Sequence, residues 1–370
     1  FPFVAYSKTE TVEHKKMPTA YIYTMNASEE LSHQIGYHDL HNHFEMGLSM
    51  VFSKPEHLYV YETYQFNDYQ KYVSDAFDEN ERMEIRKNHG KTDFDYIAAT
   101  KDEKVIAAFA EGKCNGIFQY NEKAAQELLR EIHTSNFNDV VAASAMNRPG
   151  PLANGVPSMY TEAKATWSSS NDKPVYSELI DYTYGCILYQ EQVNSIAVEY
   201  GGLNWNQADK LRKMDDPASL KSRELLEKYH DEFADIFAKG MSRYGTSDSE
   251  ARDLFEKFLL YTFNKGHAVG YALISVEEMY NKVYYPNEFW YTKLKQTNLD
   301  KNGAKYMAEA CEDGAVIFLP HVNYSAKFSL RKVEGQDAIQ MGLDSLKGVG
   351  EKAALFIEKE RKKNGILVMR

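Results

Sequence analysis

The segment Tyr261-Thr262-Phe263-Asn264-Lys265-Gly266-His267-Ala268 puts an amide, an ammonium and an imidazole in a turn that opens a helix. A helix N-terminus presents unpaired amides and partial positive charge, so Lys265 and His267 there would sit well against a phosphate. Read alone, the same residues are a capped helix with exposed charges. In Asn147-Arg148-Pro149-Gly150-Pro151 a rigid turn follows Arg148 and pre-orients its guanidinium, as an anion clamp requires. A C-capping arginine has the same signature. Arg212 and Lys213, at a helix end, are equally ambiguous. Towards the end of the chain, Leu346-Lys347-Gly348-Val349-Gly350-Glu351-Lys352 has the form hydrophobic–x–Gly–hydrophobic–Gly leading into a helix. The glycines allow a tight turn, and the first helical amides then face outward, where they take a DNA phosphate without reading sequence. This is the helix–hairpin–helix pattern; its plainer reading is a Gly-rich helix start. Asp39-Leu40-His41-Asn42-His43 sets two imidazoles on one face of a strand end, a spacing that can bind one metal. No later histidine cluster follows, which favours a surface coincidence for His38, His41 and His43.

The elements that must position these residues are mostly helices. Apolar residues recur at helical spacing in Lys101–Glu111, in Glu122–His133 with Asn121 as N-cap, and in Phe137–Met146, which Arg148-Pro149-Gly150-Pro151 closes. Residues 165–173 read as a surface loop. Helices resume over 177–182, 190–200, 207–213, 220–244 with a break at Gly240, 250–261 and 267–284, where Tyr285-Pro286 ends the last. Before residue 90, Tyr21–Met25 and His57–Tyr61 have strand composition, and a charged helix over 75–87 ends at Gly90. After residue 295, Ala315–Pro320 and Ile339–Leu343 are short buried strands. The expected fold is therefore mainly α, with a smaller α+β N-terminal part. Residues 1–92 form a divergent mixed α/β region, 93–295 a helical domain, and 296–370 a small α+β segment ending in the helix–hairpin–helix.

Six segments in order carry a more specific message: Gly116–Tyr120, Arg148–Pro151, Tyr184–Val193, Ala208–Met214, Phe263–Ala268 and Leu346–Gly350. Together, from about Asp93 to about Lys359, they closely resemble the fingers region of the bacterial and phage replicative DNA polymerase III alpha subunit, family C. The resemblance implies a nucleotidyltransferase of DNA replication. Its fingers would hold the triphosphate of an incoming dNTP through Arg148, Arg212, Lys213, Lys265 and His267, with Asn264 in the same turn and Gln190 and Gln192 supporting the pocket. Lys347, Gly348, Val349, Gly350 and Lys352 would grip duplex DNA. It also implies a two-Mg²⁺ palm site built on aspartates. The clearest such pair is Asp93-Phe94-Asp95, although it falls where the family has a linker, and the family's Gly-Ser palm motif is missing from residues 1–92. Asp215-Asp216-Pro217 puts acid where the family has basic charge, which weakens Arg212 and Lys213 as ligands. Gly266 replaces the family's usual Ser. Expected partners are primer–template DNA, dNTPs, and another polymerase segment or replisome subunits such as a sliding clamp. The alternative is a non-catalytic DNA-binding protein derived from the fingers.

Composition bounds these readings. The chain has 370 residues with a formal net charge of −11, and three widely separated cysteines exclude a disulfide framework. A reducing, cytoplasmic location without a membrane span is expected, possible phage origin included. The acidic balance excludes a surface that is basic all over but permits a basic groove. Residues 321–370 hold ten Lys/Arg against six Asp/Glu, so that end is net positive. A first residue other than Met is expected of a fragment.

Overall fold

Short polar side chains that accept hydrogen bonds from the first helical turn set many of the element starts. The computed structural model describes residues 6–12, 15–23, 32–36, 85, 87–90, 95–214, 219–259, 262–296, 299 and 303–365, with backbone alone for the first three strands. His57–Tyr61, His38, His41, His43 and Asp93 lie outside the described residues. The fold is mainly α with a smaller α+β part. Strands β1 (Tyr6–Val12), β2 (Lys15–Tyr23) and β3 (Ser32–Gly36) make an antiparallel sheet in chain order, with Tyr6 opposite Tyr21 and Ile22 opposite His33.

The chain divides into two compact units. The first comprises Phe1–Gln70, Asp95–Gly112 and Glu122–Leu273. Its helices begin with α1 (Tyr96–Thr100), α2 (Glu103–Ala110), α3 (Lys123–Glu131) and α4 (Phe137–Met146). Asp102 starts α2 by accepting from the amides of Lys104 and Val105, and Asn136 starts α4 by accepting from Asp139. The proline turn that was expected only to end α4 itself forms α5 (Pro149–Ala153), because proline is tolerated at the first helical position. Helix α6 (Val156–Thr166) and a 3-10 turn at Trp167–Ser169 occupy much of the expected loop. Conversely, 177–182 is two 3-10 turns, Ser177–Leu179 and Asp181–Thr183, and not an α-helix.

Helices α7 (Gln190–Glu199), α8 (Trp205–Arg212), α9 (Leu220–Met241) and α10 (Asp248–Phe258) enclose the main core of this unit. Phe233, Phe237, Phe255 and Phe258 fill it against Ile196, Leu203 and Leu211, all almost fully buried. Each such aromatic contributes about 1.5–3 kcal/mol by burial. As expected near Gly240, α9 ends at Met241, where a 3-10 turn, Ser242–Tyr244, takes over. A Cβ at Gly240 would lie 2.2 Å from the carbonyl oxygen of Gly201, so the glycine also permits a close backbone crossing. Under α4, Asp139 is completely buried and accepts from Lys164 Nζ (2.7 Å), Tyr160 Oη (2.9 Å) and the Ser135 amide (2.8 Å).

Helix α11 (Lys265–Tyr284) gives its residues 265–273 to this unit and 274–284 to the other. The second unit comprises Lys71–Phe94, Lys113–Asn121 and Ile274–Arg370. Here Pro286 starts a helix not expected from the sequence, α12 (Pro286–Gln296), and α13 (Ala304–Glu312) follows. Asn121, the expected cap of α3, instead accepts from the Gly116 amide and Tyr306 Oη, leaving Glu122 at the cap position. Lys282 is buried between Glu309, the carbonyls of Lys113 and Asn115, and the Trp290 ring. Strands β4 (Ile317–Phe318), β5 (Ser329–Val333) and β6 (Gln336–Gln340) form a mixed sheet in the order β4-β6-β5, with β4 parallel to β6. A 3-10 turn at Leu343–Ser345 leads to α14 (Glu351–Asn364), and Ala326, Leu343 and Ala354 make a small core. Among the described residues, no helix is long and apolar enough to cross a membrane.

Candidate nucleotide and DNA-backbone sites

A short parallel bridge, Tyr189 to Phe263, brings the start of α7 beside the start of α11. The Gln190 amide donates to the Phe263 carbonyl at 3.0 Å, and the Phe263 amide to the Leu188 carbonyl at 2.9 Å. Gln192, fully buried, pins this crossing: its Oε1 accepts from the amides of Leu188 and Tyr189, and its Nε2 donates to Thr183 Oγ1 at 2.7 Å. It therefore holds the crossing together and does not face solvent.

Around this crossing the structure assembles most of the expected cationic residues. Arg148, at the cap of α5, lays its guanidinium 4.9 Å from the centre of the Phe263 ring while Nη1 donates to the Asn147 carbonyl. His267 contacts Phe263 edge-on and stacks on Tyr271 at 4.1 Å. Arg212 reaches from the last turn of α8 to Gln190 Oε1 at 3.2 Å and to Asp209 Oδ1 at 3.0 Å. Lys213 binds the other oxygen of Asp209. Partial burial raises the pKa of that carboxyl, but hydrogen bonds from Lys213 and Arg212 overcome this and hold it below the usual carboxylate range. Both cations are thus already engaged by an acidic residue of their own helix.

Two details revise the expected geometry. The first amides of α11 are not open to an anion: Glu191, buried, accepts from the Lys265 amide with both oxygens at 2.9 Å and from the Gly266 amide at 3.3 Å. Asn264 takes the His267 amide at 2.7 Å as an ordinary cap. An anion at this site would meet side chains, and the helix terminus would contribute little. Lys265 is itself buried, with Nζ 3.8 Å from the centre of the Tyr182 ring. Arg148 and His267 are therefore the more accessible pair. The sequence showed Glu191 inside a matched segment, but an acidic residue between two glutamines gave no sign that it closes a helix 74 positions away.

Burial, and then the positive charge of Arg148, hold His267 below the usual histidine pKa. Folded-state stability from the neutral imidazole is present above the ordinary histidine pKa and is lost as pH falls through the depressed folded value. A bound triphosphate would offset the Arg148 charge, so the His267 midpoint followed by NMR is expected to rise when dNTP is added. An unmoved midpoint would place the phosphates elsewhere.

Asp95 is exposed and uses Oδ1 to cap α1, accepting from the Ile97 and Ala98 amides at 3.1 and 3.0 Å. Among the described residues, the group of His, Cys, Asp and Glu side chains close enough to share a metal ion does not include it. Of the expected aspartate pair the structure thus describes Asp95 alone, as a helix cap.

At the other end, Gly348 sits at φ +89°, a backbone region that favours glycine, and a side chain at Gly350 would meet nothing within 4 Å. Helix α14 has no side-chain cap, and Lys347, Gly348, Gly350 and Lys352 are exposed with Val349 half-buried against the small core. Glu351 pairs with Lys327 beside this turn. The first helix of the expected hairpin is reduced to the 3-10 turn Leu343–Ser345.

A family model described as the bacterial DNA polymerase III alpha subunit finger domain matches residues 75–241. The DNA polymerase III subunit alpha of Aquifex aeolicus is 34% identical over 289 residues, covering 75% of this chain and 24% of the relative. That of Campylobacter jejuni is 33% identical over 274 residues, 72% of this chain and 22% of the relative. The Staphylococcus aureus (strain MRSA252) subunit is 30% identical over 268 residues, 71% and 24% respectively. The chain thus spans about a quarter of the length of the curated relatives it matches.

Proposed function

Because the chain belongs to the bacterial DNA polymerase III alpha family through its finger domain, we propose that it binds the incoming dNTP during template-directed DNA synthesis. The observation that carries this reading is the convergence of Arg148, His267, Gln190 and Arg212 on the Phe263 crossing. Arg148 is the principal phosphate ligand, its planar fork already set on an aromatic face. His267 supplies a neutral ring that can donate one hydrogen bond, and Arg212 joins once it exchanges Asp209 for phosphate. Lys265 contributes after its ammonium leaves the Tyr182 ring. The Lys347–Lys352 turn takes a duplex phosphate on the uncapped amides of α14, which positions DNA without reading its sequence.

Metal-assisted phosphoryl transfer is assigned to another polymerase segment, since Asp95 acts as a helix cap. No catalytic step is assigned to this chain. When bound in a palm, Mg²⁺ would activate the primer hydroxyl and stabilise the leaving pyrophosphate. Sliding-clamp or other replisome contacts belong to the same proposal.

The test is binding of primer–template DNA, read with extension in Mg²⁺ and four dNTPs. Wild type is expected to bind and not to extend. Gly350→Pro is expected to weaken duplex binding and to flatten its dependence on salt. Equal binding by the two proteins would remove the hairpin role. Extension by the chain alone, abolished in Asp93→Asn or Asp95→Asn, would place a palm site within it.

A further inference from the structure

In the second unit, His89, the first turn of α12 and the start of β6 border a cleft of about 360 Å³. Three chemically matched groups converge on it. Glu288, at the first turn of α12, has a side chain only 3% exposed, and its Oε1 lies 2.9 Å from His89 Nε2. Asp337, on β6, supplies a second carboxylate, and one ligand atom from each of the three residues lies within 4.8 Å of the others. The buried Glu288 carboxylate pairs with no Lys or Arg among the described residues. A buried carboxylate needs a compensating positive charge, and a histidine alone supplies one only when protonated.

We propose that His89, Glu288 and Asp337 hold a divalent first-row metal ion, of the zinc class, with at least one coordination position open to the cleft. One imidazole and two carboxylates are a nitrogen–oxygen donor set suited to Zn²⁺. Bonds of about 2.0–2.2 Å in a tetrahedron set ligand atoms roughly 3.3–3.6 Å apart. The present separations therefore need a modest contraction, and His89 and Glu288 must part slightly to admit the ion. Asn88 donates from Nδ2 to Glu288 Oε1 at 2.9 Å, which fixes the carboxylate as outer-shell partners of metal ligands do. The Tyr285 ring lies 4.8 Å from the His89 ring and limits its rotation. The facing charge is Lys332, 3.6 Å from Asp337 and largely exposed, so it can swing away without leaving a buried cation. The ion would tie together three segments far apart in sequence, and its open position would take water or an oxygen ligand.

The experiment is calorimetric titration of Zn²⁺ into the chelator-treated full chain, with Co²⁺ absorption as a second readout of geometry. Wild type is expected to bind one Zn²⁺ at this site, to show Co²⁺ ligand-field bands and to gain thermal stability. His89→Ala and Asp337→Asn, neither in the buried core, are each expected to lose on the order of 10–100-fold in affinity. Both should melt with wild type in the presence of chelator, which separates loss of the ion from loss of the fold. Unchanged stoichiometry and affinity in both variants would put any bound zinc on other side chains and overturn the assignment. So would the absence of saturable binding to wild type.

Discussion

Asp139→Ala is expected to lower the unfolding free energy by about 3–5 kcal/mol, the cost of breaking a buried charge pair by removing one partner. Asp139 is the completely buried acceptor for Lys164, Tyr160 and Ser135. Burial and the neighbouring carboxylate keep the Tyr160 phenol far above its ordinary pKa, so it remains a neutral donor to that oxygen. Removing the carboxylate strands a phenol, an amide and a cation that is itself mostly covered. Lys164 would retain its hydrogen bond to the His133 carbonyl, which sets an upper bound on the loss. Asp139→Asn keeps an acceptor and forfeits the charge, so it should fall between alanine and wild type. Urea unfolding measures this through the midpoint at constant slope. A loss below about 1 kcal/mol for alanine would mean that the site collapses or hydrates without cost.

Arg148→Ala should weaken dNTP binding by roughly ten- to a hundredfold, about 1.5–3 kcal/mol for hydrogen bonds to a charged group. The melting temperature should hardly move, because the guanidinium lies on the face of Phe263 and makes one hydrogen bond to a neighbouring carbonyl. Arg148→Lys keeps the charge without the bidentate fork and should recover only part of the affinity. The loss in Arg212→Ala should be smaller, since Arg212 must first give up Asp209. If Arg148→Ala binds dNTP like wild type while Arg212→Ala does not, the clamp is centred on α8 instead.

The sequence made the helical layout legible wherever periodicity was long and uninterrupted, as in Glu103–Ala110 and Leu220–Met241. It failed at prolines and glycines whose role depends on tertiary contact. Pro149 and Pro286 each stand in a first helical turn, so residues that look like breakers begin α5 and α12. Gly240 marks the end of α9 to within one residue, and what the sequence did not show is that its missing side chain lets the helix cross the Gly201 backbone. Asn121 looked like a cap and is drawn off by Gly116 and Tyr306.

At the candidate nucleotide site, residue types were legible and their states were not. Nothing local in Lys265 shows that it is buried against Tyr182 or that Glu191 already occupies the amides beside it. Gln192 was expected to support a nucleotide pocket; its hydrogen bonds to Leu188, Tyr189 and Thr183 hold the crossing itself. His89, Glu288 and Asp337 carried no signal, because 199 positions separate the first two and no spacing rule links them.

The most direct test of a triphosphate site on this chain is calorimetric titration with a dNTP, repeated with inorganic triphosphate and with the matching deoxynucleoside as competitors. Recognition through Arg148 and His267 predicts one saturable site from which triphosphate displaces the dNTP and the nucleoside does not, with affinity falling as salt is added. Displacement by the nucleoside alone, or no saturable binding into the millimolar range, would contradict it.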